Sequence, residues 1–204
     1  MTHRLVPEHQ LERGADGREY VRGETEPFTG LVRRHYSNSQ PWEERHYRDG
    51  LRDGPCNEWD AEGRQRVERH FAQGHRHGAR REWYSNGQLG SEEEWADDRC
   101  LQAASFAPDG SPTGTVSAGN GTLKLCWDDG TPRSEESYQD GRPNGTATLW
   151  HPNGRKQCEV TFVAGKRDGL AREWYEGGSR WTETTYRDGQ VVDAKSWHED
   201  GSPR

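Results

Sequence analysis

The chain has 204 residues, only 28% of them hydrophobic, and 35 acidic against 28 basic residues give it a net charge of −7. So polar a composition cannot fill a compact two-layer core, for which about 45–50% apolar residues is usual, yet 9 Trp, 7 Tyr and 4 Phe are more aromatic surface than a disordered chain carries. The negative charge repels phosphate backbones and anionic head groups, which excludes nucleic acid as a partner class and disfavours a membrane surface.

Residues 1–25 precede the first regular unit and read as an N-terminal capping segment. They hold no apolar run of signal-peptide type, and no stretch of the chain reaches the roughly 18 apolar residues of a membrane span, so a cytoplasmic protein is expected.

From residue 26 to 95 a 24-residue beat is visible. Gly30, Gly54 and Gly78 keep it, as do Tyr47, Phe71 and Trp95, and Trp59 and Trp83. Several independent columns in register indicate a tandem repeat, in which each unit packs on its neighbours and needs only a narrow apolar seam. Between residues 96 and 129 the beat fails: Gly87 to Gly110 is 23 residues and Gly110 to Gly130 only 20, through the low-complexity stretch SPTGTVSAGNGT. From 130 to 204 it resumes with Gly141, Gly165 and Gly189, with Tyr138, Phe162 and Tyr186, and with Trp150 and Trp174. The whole is expected to form one continuous repeat domain.

Each unit reads as a β-hairpin. In residues 165–189, Asp168-Gly169 is expected to be a turn, Leu170 to Tyr175 a strand, Glu176-Gly177-Gly178 a tight loop, Arg180 to Tyr186 the return strand and Asp188-Gly189 the next turn. Asp-Gly and Asn-Gly suit the positive φ angles of a type I′ turn, and Asp49-Gly50, Asp53-Gly54, Asn86-Gly87, Asp109-Gly110, Asp129-Gly130, Asp140-Gly141, Asn144-Gly145 and Asn153-Gly154 punctuate the rest. No window shows a helical apolar stripe. The expected fold is all-β, an elongated single-layer antiparallel sheet on the order of 75–80 Å long at about 4.8 Å per strand. Its seam is expected on the face of Trp59, Trp83, Trp150 and Trp174, which alternation shares with Pro55, Ala79, Thr146 and Leu170.

With Gly, paired aromatics, Asn-Gly and Tyr-x-Asp-Gly in this order, the chain resembles the MORN (membrane occupation and recognition nexus) repeats in their bacterial variant. The segments GHRHGARREWYSNGQLGSEEEWADD and GRPNGTATLWHPNGRKQCEVTFVAG carry the resemblance, which runs from about Leu11 to Arg204, and Phe28-Thr29-Gly30 looks like the lead-in to such arrays. It departs from the pattern at Asn38-Ser39, which replaces Asn-Gly, and at His35, where later units have Trp. The resemblance implies a single-layer β array and an antitoxin or immunity protein of a toxin pair. It supplies no catalytic residues and no cofactor.

Candidate sites follow from charge. Glu92, Glu93, Glu94, Trp95, Asp97, Asp98 and Arg99 form an acidic run with one aromatic just before the irregular segment, and Asp128 and Asp129 lie just after it. Insertions are a common binding place in repeat proteins, so these residues are the candidate partner site; simple repeat decay or a hinge is the alternative. A secondary acidic stripe repeats at Glu44, Glu68 and Glu92 and at Glu135, Glu159 and Glu183. Such columns either engage a basic partner or are neutralised by the Arg columns at Arg33, Arg81 and Arg172. His70, His75 and His77 flank the Gly74 turn without a convergent fourth ligand, so no metal is expected. Pairs such as Asp97/Asp98 lack a cleft for sugar chemistry, so no enzyme is expected. Cys56, Cys100, Cys126 and Cys158 match neither zinc nor disulfide spacing and are read as reduced, packed thiols. The expected partner is a cognate protein toxin or effector with a basic surface. A structural scaffold or membrane-adjacent adaptor is the rival, and the terminal hairpin Gln190 to Arg204 leaves room for a homodimer.

Overall fold

Two kinds of turn alternate along the chain, and their backbone angles set the architecture. The computed structural model describes residues 4–204. At Asp49-Gly50, Gln73-Gly74, Asp97-Asp98, Ala118-Gly119, Asp140-Gly141, Ala164-Gly165 and Asp188-Gly189 both central residues have positive φ, the type I′ geometry whose twist matches paired strands. Between these lie five-residue loops such as Tyr36–Gln40, His151–Arg155 and Tyr175–Ser179, where the first residue's N–H donates to the last residue's carbonyl. Only the fourth loop residue has positive φ, and it is Gly63, Gly87, Gly110, Gly130, Gly154, Gly178 or Gly201 everywhere but in the first loop. There Ser39 takes the position at φ 66. A side chain at such an angle costs free energy that glycine avoids. Ser39→Gly is expected to stabilise the first unit by about 0.5–1 kcal/mol, read as a rise of about 1–4 °C in thermal midpoint; an unchanged or lower midpoint would refute the strain.

The strands between these turns are β1 (Leu5–Val6), β2 (Leu11–Arg13), β3 (Glu19–Val21), β4 (Gly30–His35), β5 (Pro41–Arg48), β6 (Leu51–Trp59), β7 (Gln65–Ala72), β8 (His75–Trp83) and β9 (Leu89–Ala96). They continue with β10 (Arg99–Phe106), β11 (Pro112–Ser117), β12 (Asn120–Cys126), β13 (Pro132–Gln139), β14 (Arg142–Pro143), β15 (Gly145–Trp150), β16 (Lys156–Val163), β17 (Lys166–Trp174), β18 (Arg180–Arg187) and β19 (Gln190–Ser196). Strand content is 64%, and a 17-stranded sheet of consecutive antiparallel hairpins forms the fold. The exceptions to that order are β1, which runs parallel to β4, and the separate β2–β3 hairpin. Helix among the described residues is confined to a 3-10 turn at Glu8–Gln10.

The chain divides into two compact units, the first running to Gly87 and including Glu92–Asp98, the second made of Gln88–Ser91 and Arg99–Arg204. Within the second, the segment that looked irregular is ordered. β10, β11 and β12 continue the hairpins, and Ala118-Gly119 makes the same I′ turn as its neighbours (φ 48 and 77). The beat shortens because β11 and β12 have only 6 and 7 residues where β16 to β18 have 8 or 9.

Three of the dipeptides expected as turns are not turns. Asp53-Gly54 and Asp168-Gly169 lie inside β6 and β17, and Asn144-Gly145 enters β15. Each glycine has positive φ (105, 101 and 98), and the ladders slip beside the first two, the mark of a bulge. The preceding acid or amide reaches the next I′ turn: Gln73 N–H donates to Asp53 at 3.2 Å, Ala164 N–H to Asn144 at 3.1 Å and Asp188 N–H to Asp168 at 3.0 Å. Backbone bonds reinforce the stacking, since Gly74, Gly165 and Gly189 N–H donate to the Arg52, Pro143 and Arg167 carbonyls at 2.8 Å.

The buried face is also the opposite of the expected one. Trp59, Trp83, Trp150 and Trp174 are only half-buried, whereas Val32, Tyr47, Cys56, Val67 and Trp95 are buried in the first unit and Leu123, Tyr138, Ala147 and Val160 in the second. Both faces carry an aromatic column, and the face that closes is the one on which the Tyr47, Trp95 and Tyr138 column stands with Cys56, Val67, Leu123, Ala147 and Val160. On it Arg52 lies over Phe71 at 5.4 Å, Arg76 over Trp95 at 3.7 Å and Arg167 over Tyr186 at 5.3 Å, a repeated cation–π stack. The first unit begins with a denser cluster of Val6, Val21, Phe28, Val32 and Tyr47, packed by Leu11. Gly30 is required there because a Cβ would collide with the Arg4 carbonyl oxygen and press on the Phe28 ring.

Candidate functional site

The acidic run begins on β9 and ends in its turn, and alternation splits it. Glu93 and Trp95 point to the buried face, 5% and 2% exposed. The Trp95 indole N–H donates to Glu93 at 2.9 Å, and Glu93 pairs with Arg80, which also holds Glu82 at 2.8 Å. These two residues are therefore internal and present no surface to a partner. Glu92, Glu94, Asp97 and Asp98 are exposed. Glu92 accepts from Arg81 at 2.7 Å.

The turn itself departs from its family of seven. Asp98, at φ 63, stands where the six other I′ turns place glycine. Its side chain offers the compensation: Oδ1 accepts the Arg76 N–H at 2.9 Å and Oδ2 accepts His75 Nδ1 at 2.7 Å. Asp97 lies 3.3 Å from His77 Nδ1. Strain kept in exchange for side-chain placement is characteristic of functional positions, and the sequence pattern carries a signal for it, since Gly50 and Gly74 are followed at the same 24-residue spacing by Asp98 in place of glycine.

The hydrogen bond to Asp98 and its charge raise the His75 pKa above its ordinary 6.5. For Asp98, burial opposes ionisation, but the bonds from His75 and the Arg76 N–H outweigh it and hold the carboxyl below its ordinary 3.8. A raised histidine stabilises fully below its unfolded pKa and loses that contribution as pH rises through the folded value; a depressed carboxyl does so above its unfolded pKa and loses it as pH falls. The contact is thus fully formed between about pH 3.8 and 6.5. An NMR titration is expected to place His75 above the ordinary 6.5, and Asp98→Asn to return it to the ordinary range. A titration unmoved by Asp98→Asn would refute the pairing.

Arg99, Asp128 and Asp129 belong to the second unit and are exposed. The Asp129 carboxylate caps its own loop, accepting the Thr131 N–H at 2.9 Å and the Thr131 hydroxyl at 2.6 Å.

Every member of the secondary stripe has a cation. Arg33 pairs with Glu44 at 2.5 Å, and Arg81 bridges Glu68 and Glu92 at 3.3 and 2.7 Å. In the second unit Lys124 holds Glu135 at 3.3 Å, Lys156 holds Glu159 at 2.6 Å, and Arg172 and Arg180 hold Glu183 at 3.2 and 3.0 Å. Most of these pairs lie directly opposite across strands, the arrangement in which like columns stabilise a sheet. The stripe is a neutralised ladder.

His70 does not join its neighbours, because its Nδ1 faces the Ala79 carbonyl at 3.1 Å. Among the described residues no group of three His, Cys, Asp or Glu is placed to hold a metal. All four cysteines are free thiols, with Cys56 and Cys100 buried, and burial pushes the Cys56 pKa up. The second unit also holds a groove of about 750 Å³ between β13 and β18, with Leu149, Val160, Phe162 and Trp181 among its walls.

Residues 76–97, which are β8, its loop and β9 with the first turn residue, match the family model described as the MORN repeat variant. The match supports a MORN-repeat protein, and such repeats suggest a binding or scaffold role. No curated protein matches the chain.

Proposed function

From a MORN-variant repeat set in a sheet of consecutive hairpins, we propose that this protein is a non-enzymatic binding protein, an antitoxin or immunity protein that engages and neutralises a cognate bacterial toxin or effector. The observation that carries the reading is the Asp97-Asp98 turn, where a residue at positive φ is retained in the place of glycine and fixes an exposed carboxylate pair. With Glu92 and Glu94 on the same exposed side of β9, the turn offers a localised acidic surface to a basic partner. Complementary charge of this kind acts mainly on association rate and specificity. The toxin assignment rests on the resemblance of the repeats to bacterial MORN variants, an argument by analogy.

Co-expression with the product of the adjacent gene tests it. Co-purification and protection from that product's toxicity are expected; neither together sinks the antitoxin reading, and association with liposomes in their place would favour a membrane-adjacent scaffold. Charge reversal at Glu92, Glu94, Asp97 and Asp98 is expected to slow association about tenfold and flatten its salt dependence. A rate indifferent to both changes removes the acidic turn from the interface.

A further inference from the structure

The inward face of the second unit is built in the same register as that of the first but with shorter side chains. In the first unit, long charged residues fill it: Arg69 lies on Glu58 at 2.8 Å, and Arg80 reaches both Glu82 and Glu93. At the equivalent positions of the second unit, Val160 replaces Arg69, Leu149 replaces Glu58 and Ala171 replaces Arg80, while Glu173 is retained where the first unit has Glu82. The shortened side chains open the groove of about 750 Å³. Leu149 and Trp181 on its walls are 39% and 42% exposed, an apolar surface left uncovered.

Two carboxylates line the groove without cations. Glu136 accepts the Tyr138 hydroxyl at 2.6 Å and Glu173 the Thr182 hydroxyl at 2.7 Å, and among the described residues no ion pair includes either. The guanidinium that lines the groove, that of Arg167, is committed to Tyr186, stacked on its ring and donating to its hydroxyl at 3.1 Å. The first unit shows what this register accepts when its glutamates are satisfied, which is arginine lying along the sheet.

We propose that the groove receives an extended segment of a partner polypeptide that supplies the cations the second unit lacks. Glu136 on β13 and Glu173 on β17 are separated by β15 and β16. Three strand steps of about 4.8 Å and a two-residue offset of about 7 Å along the strands place their Cα atoms roughly 16 Å apart. Two arginines four residues apart on an extended chain, about 14 Å at about 3.4 Å per residue, span this with the reach of their side chains. Residues i and i+4 of an extended chain face the same way, and i+2 faces with them. The recognised pattern is therefore basic-x-apolar-x-basic, the central apolar side chain resting on Leu149, Val160 and Phe162. This inference rests on the reading of the chain as a protein-binding module.

The test uses the full chain and a fluorescein-labelled peptide, Gly-Arg-Ser-Trp-Ser-Arg-Gly, by fluorescence anisotropy. Binding is expected, and it should be lost when both arginines of the peptide are glutamate and weaken at least tenfold when they are three residues apart. The paired variant Glu136→Gln with Glu173→Gln should weaken it tenfold or more, and Val160→Arg, which restores the residue of the first unit, should abolish it. Because Val160 is buried and that change can disturb folding, the isosteric glutamine pair decides. Equal affinity for the glutamate peptide, or no effect of the glutamine pair, overturns the proposal. If the glutamine pair loses the peptide but still captures the toxin, the groove acts apart from toxin capture; if the wild-type chain binds the peptide and captures no toxin, the antitoxin reading fails and the groove stands.

Discussion

Trp95→Ala is expected to destabilise the first unit by about 3–5 kcal/mol, the range for deleting a buried aromatic side chain. The ring is 2% exposed, so nearly all its apolar surface is removed from water in the fold. Two further losses compound the cavity. Arg76 forfeits the ring it stacks on at 3.7 Å, and Glu93, itself buried, loses the indole donor at 2.9 Å. A buried carboxylate short of a donor is costly, which is why Arg80 alone does not rescue the site. Trp95→Phe separates the contributions: it keeps most of the volume and loses the N–H, so about 1–2 kcal/mol is expected. Urea unfolding followed by near-ultraviolet circular dichroism measures both. A Trp95→Ala protein of unchanged midpoint but weakened partner binding would reverse the assignment and make Trp95 a surface residue after all.

The second large effect is expected at the other end of the same unit. Phe28→Ala removes the centre of the cluster formed by Val6, Val21, Val32 and Tyr47, where the Phe28 ring lies 5.8 Å from that of Tyr47. The cost is again about 3–5 kcal/mol, but it should be local, because repeat units depend chiefly on their neighbours. Phe28 also ties the backbone, its carbonyl accepting the Gly50 N–H and its own N–H donating to the Glu19 carbonyl, both at 2.8 Å. Hydrogen exchange is the appropriate probe. Protection of the β1–β4 and β2–β3 amides should fall sharply while β16 to β18 exchange as in the parent protein. Uniform loss across both units would show that they unfold as one and that the cap is not a separable element.

These two sites mark the difference between what a periodic pattern reveals and what packing decides. The pattern placed Trp95 in an aromatic column with Tyr47 and Phe71 and also in an acidic run, and the two descriptions imply opposite environments. Alternation along β9 resolves them, since it turns Glu93 and Trp95 inward and leaves Glu92 and Glu94 outward. Asp98 is legible as a turn acid standing where the beat of Gly50 and Gly74 calls for glycine. Its contact with His75, 23 residues earlier in the chain, is not.

The sequence by itself determined the all-β class, the hairpin unit and its length, and most turn positions, because positive φ is a local demand met by a few residue types within two or three positions of one another. It also held the opposed charges of the Glu ladder, since cross-strand partners repeat at constant spacing. Only the tertiary structure decided which sheet face is buried, that Asp53, Asn144 and Asp168 brace the next turn, and that the second unit opens a groove where the first is filled with arginine. Each of these depends on contacts between units about twenty residues apart and on which side chains fill the space between strands, quantities set by volume and register together and not written in any single repeat.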